Sequence, residues 1–132
     1  TTEYLASAFV DLYLHLYETP DDILKRQDQI LQKLKIPAAI GMRHSVPHFA
    51  HVFSGSGYAS GYYSYMWSEV MDADAFSAFT EVNDPFDPRV AKSLEKNILA
   101  AGGSEEPEIL YVNFRGRLPD PNAMIEARGL YT

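Results

Sequence analysis

The chain has 132 residues, 46% of them hydrophobic, and no cysteine, so it can form a folded core but no disulfide or thiol site. Its net charge of -7 and its 11 scattered Lys and Arg residues argue against nucleic-acid binding. No apolar run approaches the roughly 20 residues that a membrane span needs. We therefore expect neither a nucleic-acid nor a membrane partner, and the absence of cysteine fits a cytoplasmic location.

The first part of the chain shows hydrophobic periodicity that is typical of helices. Apolar residues at helical spacing predict a first helix over residues 2–17. Thr19 as N-cap and Pro20 in the first turn predict the start of a second helix. This second helix is expected to run to Lys35, because Pro37 then stops it.

The remaining two thirds are also predicted to be helical. Residues 37–56 are expected to be irregular, with one short helical turn, and the longest helix is expected from Gly57 to about Glu81. Three shorter helices are delimited by capping residues: Asp87-Pro88 to Gly102-Gly103, Ser104 to Gly116, and Asp120 to Arg128 with Gly129 as its stop. No segment alternates with the period of a strand, so the predicted fold class is all-α.

Aromatic residues concentrate in the stretch HFAHVFSGSGYASGYYSYMW, residues 48–67. In the predicted long helix, Tyr58, Tyr62 and Tyr65 lie at i, i+4 and i+7 and therefore share one face. Tyr63 points elsewhere. A buried Tyr needs a partner for its hydroxyl, so three hydroxyls on one face indicate the wall of a polar cleft that donates hydrogen bonds to a carbonyl or an oxyanion. Packing of these tyrosines against neighbouring helices is an equally open alternative.

The Gly-Ser-Gly turn before the tyrosines has two interpretations. Gly55 and Gly57 belong either to a simple loop that enters a helix or to a mobile loop whose bare backbone approaches a peptide ligand. Neither a G-x-G-x-x-G pattern nor a Walker lysine follows, and the turn is not the G-x-S-x-G elbow of a nucleophilic serine.

Three histidines have a spacing that would suit a metal on a continuous helix. His44, His48 and His51 stand at i, i+4 and i+7. Pro47 lies between them and disfavours a helical conformation at Val46. The H-E-x-x-H motif of zinc peptidases occurs nowhere in these 132 residues. We therefore expect ordinary packing and hydrogen bonding from the trio, and no metal ligand in this chain.

Two groups of charged residues are expected to be ordinary surface features. A solvated face of the long helix is predicted for three acidic residues, Glu69, Asp72 and Asp74. Surface ion pairs, which contribute little stability, are predicted for Arg115, Arg117 and Asp120.

The aromatic stretch carries a specific motif, formed by His51-Val52-Phe53, Gly57-Tyr58 and Gly61-Tyr62-Tyr63-Ser64-Tyr65-Met66-Trp67. It resembles the pattern H-[IVL]-F-x-G-G-Y-x-A-x-Y-Y-x-Y-x-W of the thimet oligopeptidase family of zinc metallopeptidases, and of its bacterial members in particular. The likeness extends over nearly the whole chain, for example in Ser68-Glu69-Val70, Gly102-Gly103-Ser104, Phe114-Arg115-Gly116-Arg117 and Arg128-Gly129-Leu130.

The resemblance implies a substrate site. In the family, a glycine-rich loop and the helix behind it face a zinc ion across a deep channel. By this resemblance His51 and Tyr58 contact the substrate near the scissile bond, and Gly55 and Gly57 let the loop close over short peptides. Tyr65 donates its hydroxyl to the oxyanion formed when zinc-bound water attacks the peptide carbonyl.

Two departures from the family pattern limit what this chain does alone. It has one extra residue between His51 and Tyr58 compared with the usual spacing. Family members are several hundred residues long and hold zinc through an H-E-x-x-H helix and a further Glu, all upstream of this segment. We therefore expect a single helical domain over residues 1–132, a C-terminal fragment of an oligopeptidase or peptidyl-dipeptidase that alone neither binds zinc nor cleaves peptides.

The expected partners are short peptide substrates and the missing N-terminal catalytic part of the same polypeptide. Surfaces that contact that part would be bare in the fragment, so we expect it to self-associate through residues 58–67 or its first helix. Endopeptidase and dipeptide-releasing action both remain open. Two other classes also remain: a stand-alone helical peptide-binding or interaction module without catalysis, and a purely structural helical domain.

Overall fold

A computed structural model describes residues 1–16 and 21–131, and this part of the chain contains helices and turns but no strand. The predicted all-α class is therefore confirmed. The elements in chain order are α1 (Thr2–Leu16), α2 (Ile23–Lys33), a 3₁₀ turn (Val46–His48), α3 (Ala50–Phe53), α4 (Ser64–Glu81), α5 (Pro88–Leu94), a π-helical turn (Glu95–Leu99), α6 (Pro107–Arg115) and α7 (Pro121–Ala127). None of these helices combines the length and apolar character that spanning a membrane requires.

The chain forms two compact units, Thr1–Tyr65 and Met66–Thr132, called unit 1 and unit 2 below. The expectation of one helical domain over residues 1–132 stays a prediction.

Unit 1 has a small apolar core between its helices. Val10 of α1, Ile30 of α2 and Val46 of the 3₁₀ turn are buried together. The side chain of Asp22 caps α2 by accepting a hydrogen bond from the backbone N–H of Lys25. This capped helix holds the segment that follows it against α1.

Of the predicted boundaries between the first two helices and their flanking segments, the structure tests the end of the second helix but not the end of the first or the start of the second. Tyr17, Thr19 and Pro20 lie outside the described residues, so the predicted end of the first helix and start of the second stay predictions. At its other end α2 stops at Lys33, two residues before the predicted Lys35. Lys35 has φ 54°, a left-handed conformation that cannot continue a right-handed helix.

The prediction that the longest helix begins at Gly57 is wrong, because α4 begins only at Ser64. Ser60 has φ 58°, and the N–H of Gly61 donates to the carbonyl of Tyr58 at 3.1 Å, which closes a tight turn. A Cβ at Gly61 would lie 3.2 Å from the carbonyl oxygen of Tyr58, so this turn favours glycine there. Residues 57–63 are therefore turns, and the irregular segment is longer than predicted.

Two helices of unit 2 begin at Asp-Pro pairs, as predicted. Asp87 accepts hydrogen bonds from two backbone N–H groups of the first turn of α5, and Asp120 accepts one in α7. Pro fits the position after each cap, because its φ suits a helix and the N–H it lacks would have had no helical partner. The predicted stop of α7 is also confirmed, since Gly129 follows it with φ 63°. The helix predicted from Asp87-Pro88 to Gly102-Gly103 is not one regular α-helix, because α5 ends at Leu94 and the π-helical turn Glu95–Leu99 follows it.

α6 has its predicted end but not its predicted start. Gly116 terminates the helix in the left-handed conformation at φ 74°. Ser104 does not cap it, because the helix begins at Pro107 with Glu106 in the cap position. The Pro signal at the first helical position therefore outweighed the Ser signal three residues earlier.

A buried ion network lies between α4 and the end of α6. Asp74 is 1% exposed and accepts hydrogen bonds from the Tyr111 hydroxyl at 2.6 Å and from Nη2 of Arg117 at 2.6 Å. Nε of Arg115 lies 3.5 Å from Oδ2 of Asp74, within range of charge attraction, and its guanidinium also binds Glu81 at 2.7 Å. We call Asp74, Tyr111, Arg115 and Arg117 the Asp74 network.

The Asp74 network corrects two expectations about charged residues. Asp74 does not lie on a solvated face, and Arg115 and Arg117 pair with it rather than with Asp120, which caps α7. Burial raises the pKa of Asp74, but the hydrogen bonds from Arg117 and Tyr111 and the nearby positive charges outweigh burial and hold it below its ordinary value. The carboxylate therefore stays ionised in the interior of unit 2.

Candidate functional site

Three tyrosines of unit 1 surround the imidazole of His51. The ring of Tyr58 stacks on it at 5.0 Å between centroids, while those of Tyr62 and Tyr65 each lie at 5.9 Å. The hydroxyl of Tyr65 is 3.1 Å from Nε2 of His51, a hydrogen-bonding distance. We call these four residues the His51 cluster.

The cluster contains the three tyrosines predicted to act together, but not for the predicted reason. Tyr58 lies in a turn, Tyr62 lies just before α4, and only Tyr65 is part of that helix. They therefore share no helical face, and the turn at Gly61 brings them together instead. Tyr63 is 52% exposed and makes none of the ring contacts that join the other three to His51.

Two tyrosines of the cluster, Tyr58 and Tyr65, are exposed, whereas Tyr62 is half-buried. Tyr58 is 65% exposed and Tyr65 is 54% exposed. Large amphipathic rings at the surface are typical of binding sites, because they offer both apolar contact and a hydrogen-bonding group.

Two neighbouring cavities open beside the cluster and share His51 and Ala50 as their common wall. One has about 390 Å³ and is lined by Tyr4, His44, His48, Phe49, Ala50, His51, Tyr62 and Tyr65. The other has about 480 Å³ and is lined by Ala50, His51, Ser54, Gly55, Gly57 and Tyr58. Both cavities therefore reach His51.

The glycines of the predicted substrate loop line the second of these cavities. A Cβ at Gly55 or at Gly57 would meet no atom within 4 Å. Neither glycine has the left-handed backbone that would explain its presence by conformation alone. Their bare backbone therefore leaves room in the cavity beside Tyr58.

The three histidines do not lie on one continuous helix. His48 ends the 3₁₀ turn and His51 belongs to α3, while His44 precedes both, so no continuous helix aligns them. In residues 1–16 and 21–131 no group of three or more His, Asp or Glu side chains could hold a metal ion. The described residues therefore do not fit a zinc site. His44 and His48 share the first cavity with His51 instead.

Two residues of α1 contribute to the site although the sequence patterns did not indicate them as site residues. The ring of Tyr4 stacks on that of Tyr62 at 5.2 Å, and its hydroxyl donates to the carbonyl of Tyr62. Asp11 is fully buried and accepts hydrogen bonds from the backbone N–H groups of Ser60 and Tyr62. The sequence near Asp11 offered a single indication of its role, namely that this acid follows the core residue Val10.

The profile of Peptidase family M3 matches residues 1–130 of the chain. Oligopeptidase A of Escherichia coli (strain K12) is 42% identical over 123 residues, which are 91% of this chain and 18% of that protein. Dipeptidyl carboxypeptidase of Salmonella typhimurium is 33% identical, with 98% of this chain and 19% of that protein covered. A probable cytosolic oligopeptidase A of Arabidopsis thaliana is 36% identical, with 96% and 19% covered.

These matches establish the class: the chain belongs to peptidase family M3. They also confirm the resemblance to the thimet oligopeptidase family that the tyrosine motif indicated. The chain spans less than a fifth of the length of these three relatives.

Proposed function

We propose that the chain is the C-terminal part of a zinc-dependent peptidase that hydrolyses short peptides, and that it supplies a substrate-binding loop and an oxyanion-stabilising phenol. Membership of peptidase family M3 supports this proposal, as do relatives named oligopeptidase A and dipeptidyl carboxypeptidase. The name of the Arabidopsis relative supports a cytoplasmic location.

The observation that carries the proposal is the exposed Tyr65 hydroxyl beside Nε2 of His51, 3.1 Å away, next to a cavity of about 390 Å³. A peptide carbonyl oxygen in that cavity would accept a hydrogen bond from the phenol. The bond strengthens as the carbonyl oxygen becomes an oxyanion, so Tyr65 would stabilise the transition state more than the bound peptide.

The other residues of the site would hold the peptide. Tyr58 stacks on His51 and offers a second phenol, while Gly55 and Gly57 leave backbone groups uncovered beside it. In this proposal His51, which lines both cavities, would lie next to the scissile bond of a peptide that occupies both. These roles need short peptide substrates rather than folded proteins, because an extended backbone must enter both cavities.

Zinc in this proposal belongs to the rest of the polypeptide. The described residues of this chain do not fit a zinc site, and the family resemblance assigns the metal to an upstream part, which would be the chain's main protein partner. The roles proposed for Tyr58 and Tyr65 are peptide binding and charge stabilisation alone.

The test is Tyr65→Phe in the full-length peptidase. If the phenol is a main oxyanion donor, turnover should fall by about 10²–10³-fold while KM changes little. Tyr63→Phe, which removes a hydroxyl outside the cluster, is the matched control and should behave like wild type. Full turnover by Tyr65→Phe, or a large loss in Tyr63→Phe, would show that the catalytic phenol is assigned to the wrong tyrosine.

The 132-residue chain by itself is expected to hydrolyse no peptide and to retain no zinc after dialysis. Metal analysis and a fluorogenic peptide assay measure both. Stoichiometric zinc that disappears when His44, His48 or His51 is replaced would contradict this expectation.

A further inference from the structure

We propose that Asp11 is a positioning residue of the His51 cluster, acting through the turn that carries Tyr62. The inference rests on the proposed function and adds to it a residue that makes no contact with either cavity. Asp11 lies in α1, 49 and 51 residues before the two amides that it binds.

Asp11 fixes the turn before α4 through hydrogen bonds to two of its backbone N–H groups. One carboxylate oxygen accepts from the N–H of Ser60 at 3.0 Å, and the other accepts from the N–H of Tyr62 at 2.9 Å. Asp11 is 0% exposed. A buried carboxylate is unfavourable unless hydrogen bonds compensate for its lost hydration, and these two bonds do so. Nδ1 of His15 lies 2.8 Å from the backbone carbonyl oxygen of Asp11 and 2.8 Å from its Oδ1.

The chemistry explains why an acid suits this position. Two backbone N–H groups on either side of Gly61 need two acceptors, and a carboxylate offers one oxygen to each without carrying a donor. An amide side chain of the same shape would present an NH₂ group to one of them. Ser60 is also held in a left-handed conformation at φ 58°, which is unfavourable for a residue with a Cβ.

The anchor determines where the ring of Tyr62 lies. Its N–H is bound by Asp11, and its carbonyl is bound by the Tyr4 hydroxyl, so α1 holds both polar groups of its backbone. The ring of Tyr62 then packs at 5.5 Å against that of Tyr65 and at 5.9 Å against that of His51. Loss of the anchor should therefore displace the phenol of Tyr65 from the substrate carbonyl.

The experiment compares Asp11→Asn with Asp28→Asn in the full-length peptidase. Asp28 is an exposed acid of α2 in the same unit, so its replacement controls for the loss of one charge. At a temperature well below unfolding, kcat/KM should fall by about 10²-fold in Asp11→Asn, because a shift of about 1 Å in a catalytic group has such an effect. Asp28→Asn should match wild type.

A double-mutant cycle separates positioning from simple stability. If Asp11 acts through Tyr65, Asp11→Asn should lower kcat/KM much less in a Tyr65→Phe background than in wild type. A purely structural role would lower the melting temperature and leave the two kinetic losses independent. Independent losses, or wild-type kcat/KM in Asp11→Asn, would overturn the proposal.

Hydrogen exchange of the wild-type enzyme covers the case in which Asp11→Asn does not fold. The amides of Ser60 and Tyr62 should exchange much more slowly than those of Gly55 and Gly57 in the same loop. Equal, fast exchange would overturn the proposal. The proposed function is judged separately, by Tyr65→Phe in the wild-type background, so its failure and the failure of the Asp11 proposal are distinguishable.

Discussion

The His51 cluster of unit 1 and the Asp74 network of unit 2 are both groups of four polar or aromatic side chains, but they differ in what surrounds them. Tyr58 and Tyr65 are more than half exposed beside open cavities. Asp74 is 1% exposed, and charged or hydroxyl groups bind both of its oxygens. The first group is available to a ligand, whereas the second is already saturated by the protein itself.

Under the proposed function, this difference separates residues that would contact the substrate from residues that stabilise the fold. An exposed phenol contributes little to stability, because water replaces its lost contacts. Removal of a buried ion leaves its partners without compensation, which is strongly unfavourable. Substitutions in the His51 cluster should therefore change peptide turnover, whereas substitutions in the Asp74 network should change the free energy of unfolding.

The largest effect on stability is expected from Asp74→Ala. Removal of the carboxylate leaves Arg115 and Arg117 without their buried partner. Breaking a buried pair costs about 3–5 kcal/mol, and we expect the lower end of this range, because Arg115 keeps Glu81 and the Arg117 side chain is 44% exposed. Hydrogen exchange of the α4 and α6 amides measures the local free energy of opening. Asp72→Ala, at an exposed acid of the same helix, is the control and should change it by less than about 0.5 kcal/mol. Similar effects of both variants would contradict the buried role of Asp74.

Acid should weaken unit 2 through the same carboxylate. The pKa of Asp74 in the folded protein lies below its ordinary value of 3.8. Its stabilising contribution is therefore fully present above the unfolded pKa and is lost as the pH falls through the lower folded pKa. Between about pH 7 and about pH 3, the urea midpoint should fall less in Asp74→Asn than in wild type. An equal fall in both proteins would exclude this origin of acid sensitivity.

A smaller effect is expected at the ion pair between Arg128 and Glu69. Nε of Arg128 lies 2.6 Å from Oε1 of Glu69, but the two side chains are 24% and 39% exposed. Partly hydrated pairs contribute about 0.2–1 kcal/mol. Arg128→Ala should lower the free energy of unfolding by this amount. Arg128→Lys keeps the charge but loses the bidentate contact, so it should lower the free energy of unfolding by only part of this amount. Chemical denaturation of both variants measures these losses. A loss as large as that of Asp74→Ala would contradict the distinction by burial.

The smallest effect on stability is expected from Tyr58→Phe and Tyr65→Phe. Each change removes one exposed hydroxyl and keeps the ring contacts with His51, so the free energy of unfolding should change by less than about 0.5 kcal/mol. Thermal denaturation next to the peptide assay checks this. If Tyr65→Phe lowered the free energy of unfolding enough to account for its loss of turnover, the two groups would not differ in the way proposed.

Signals that lie close together in the sequence predicted the starts of α5 and α7 and the ends of α6 and α7. Asp87 and Asp120 each precede a Pro, and Gly116 and Gly129 end their helices with positive φ. The start of α4 was missed because the turn before it depends on Asp11, about fifty residues away, and hydrophobic periodicity does not register such a bond. The apolar character of residues 57–63 thus suggested a helix that the turn prevents.

The candidate site shows the same limit. The spacing of the tyrosines placed Tyr58, Tyr62 and Tyr65 on one helical face, and that face does not exist because α4 begins only at Ser64. Their grouping around His51 follows from ring contacts across the turn. Asp74 was expected in solvent because the arginines that bury it lie about forty residues further along the chain.

The hydrogen bond between Tyr65 and His51 has a direction. A phenol carries a single hydrogen, and if it points at Nε2 of His51, none remains for a substrate oxygen. The phenol can donate to a peptide and keep its bond to His51 only when Nε2 carries its own hydrogen and donates to the phenolic oxygen, and the distance of 3.1 Å suits either arrangement. The tautomer of one imidazole would then decide whether the site is receptive, without movement of any backbone atom.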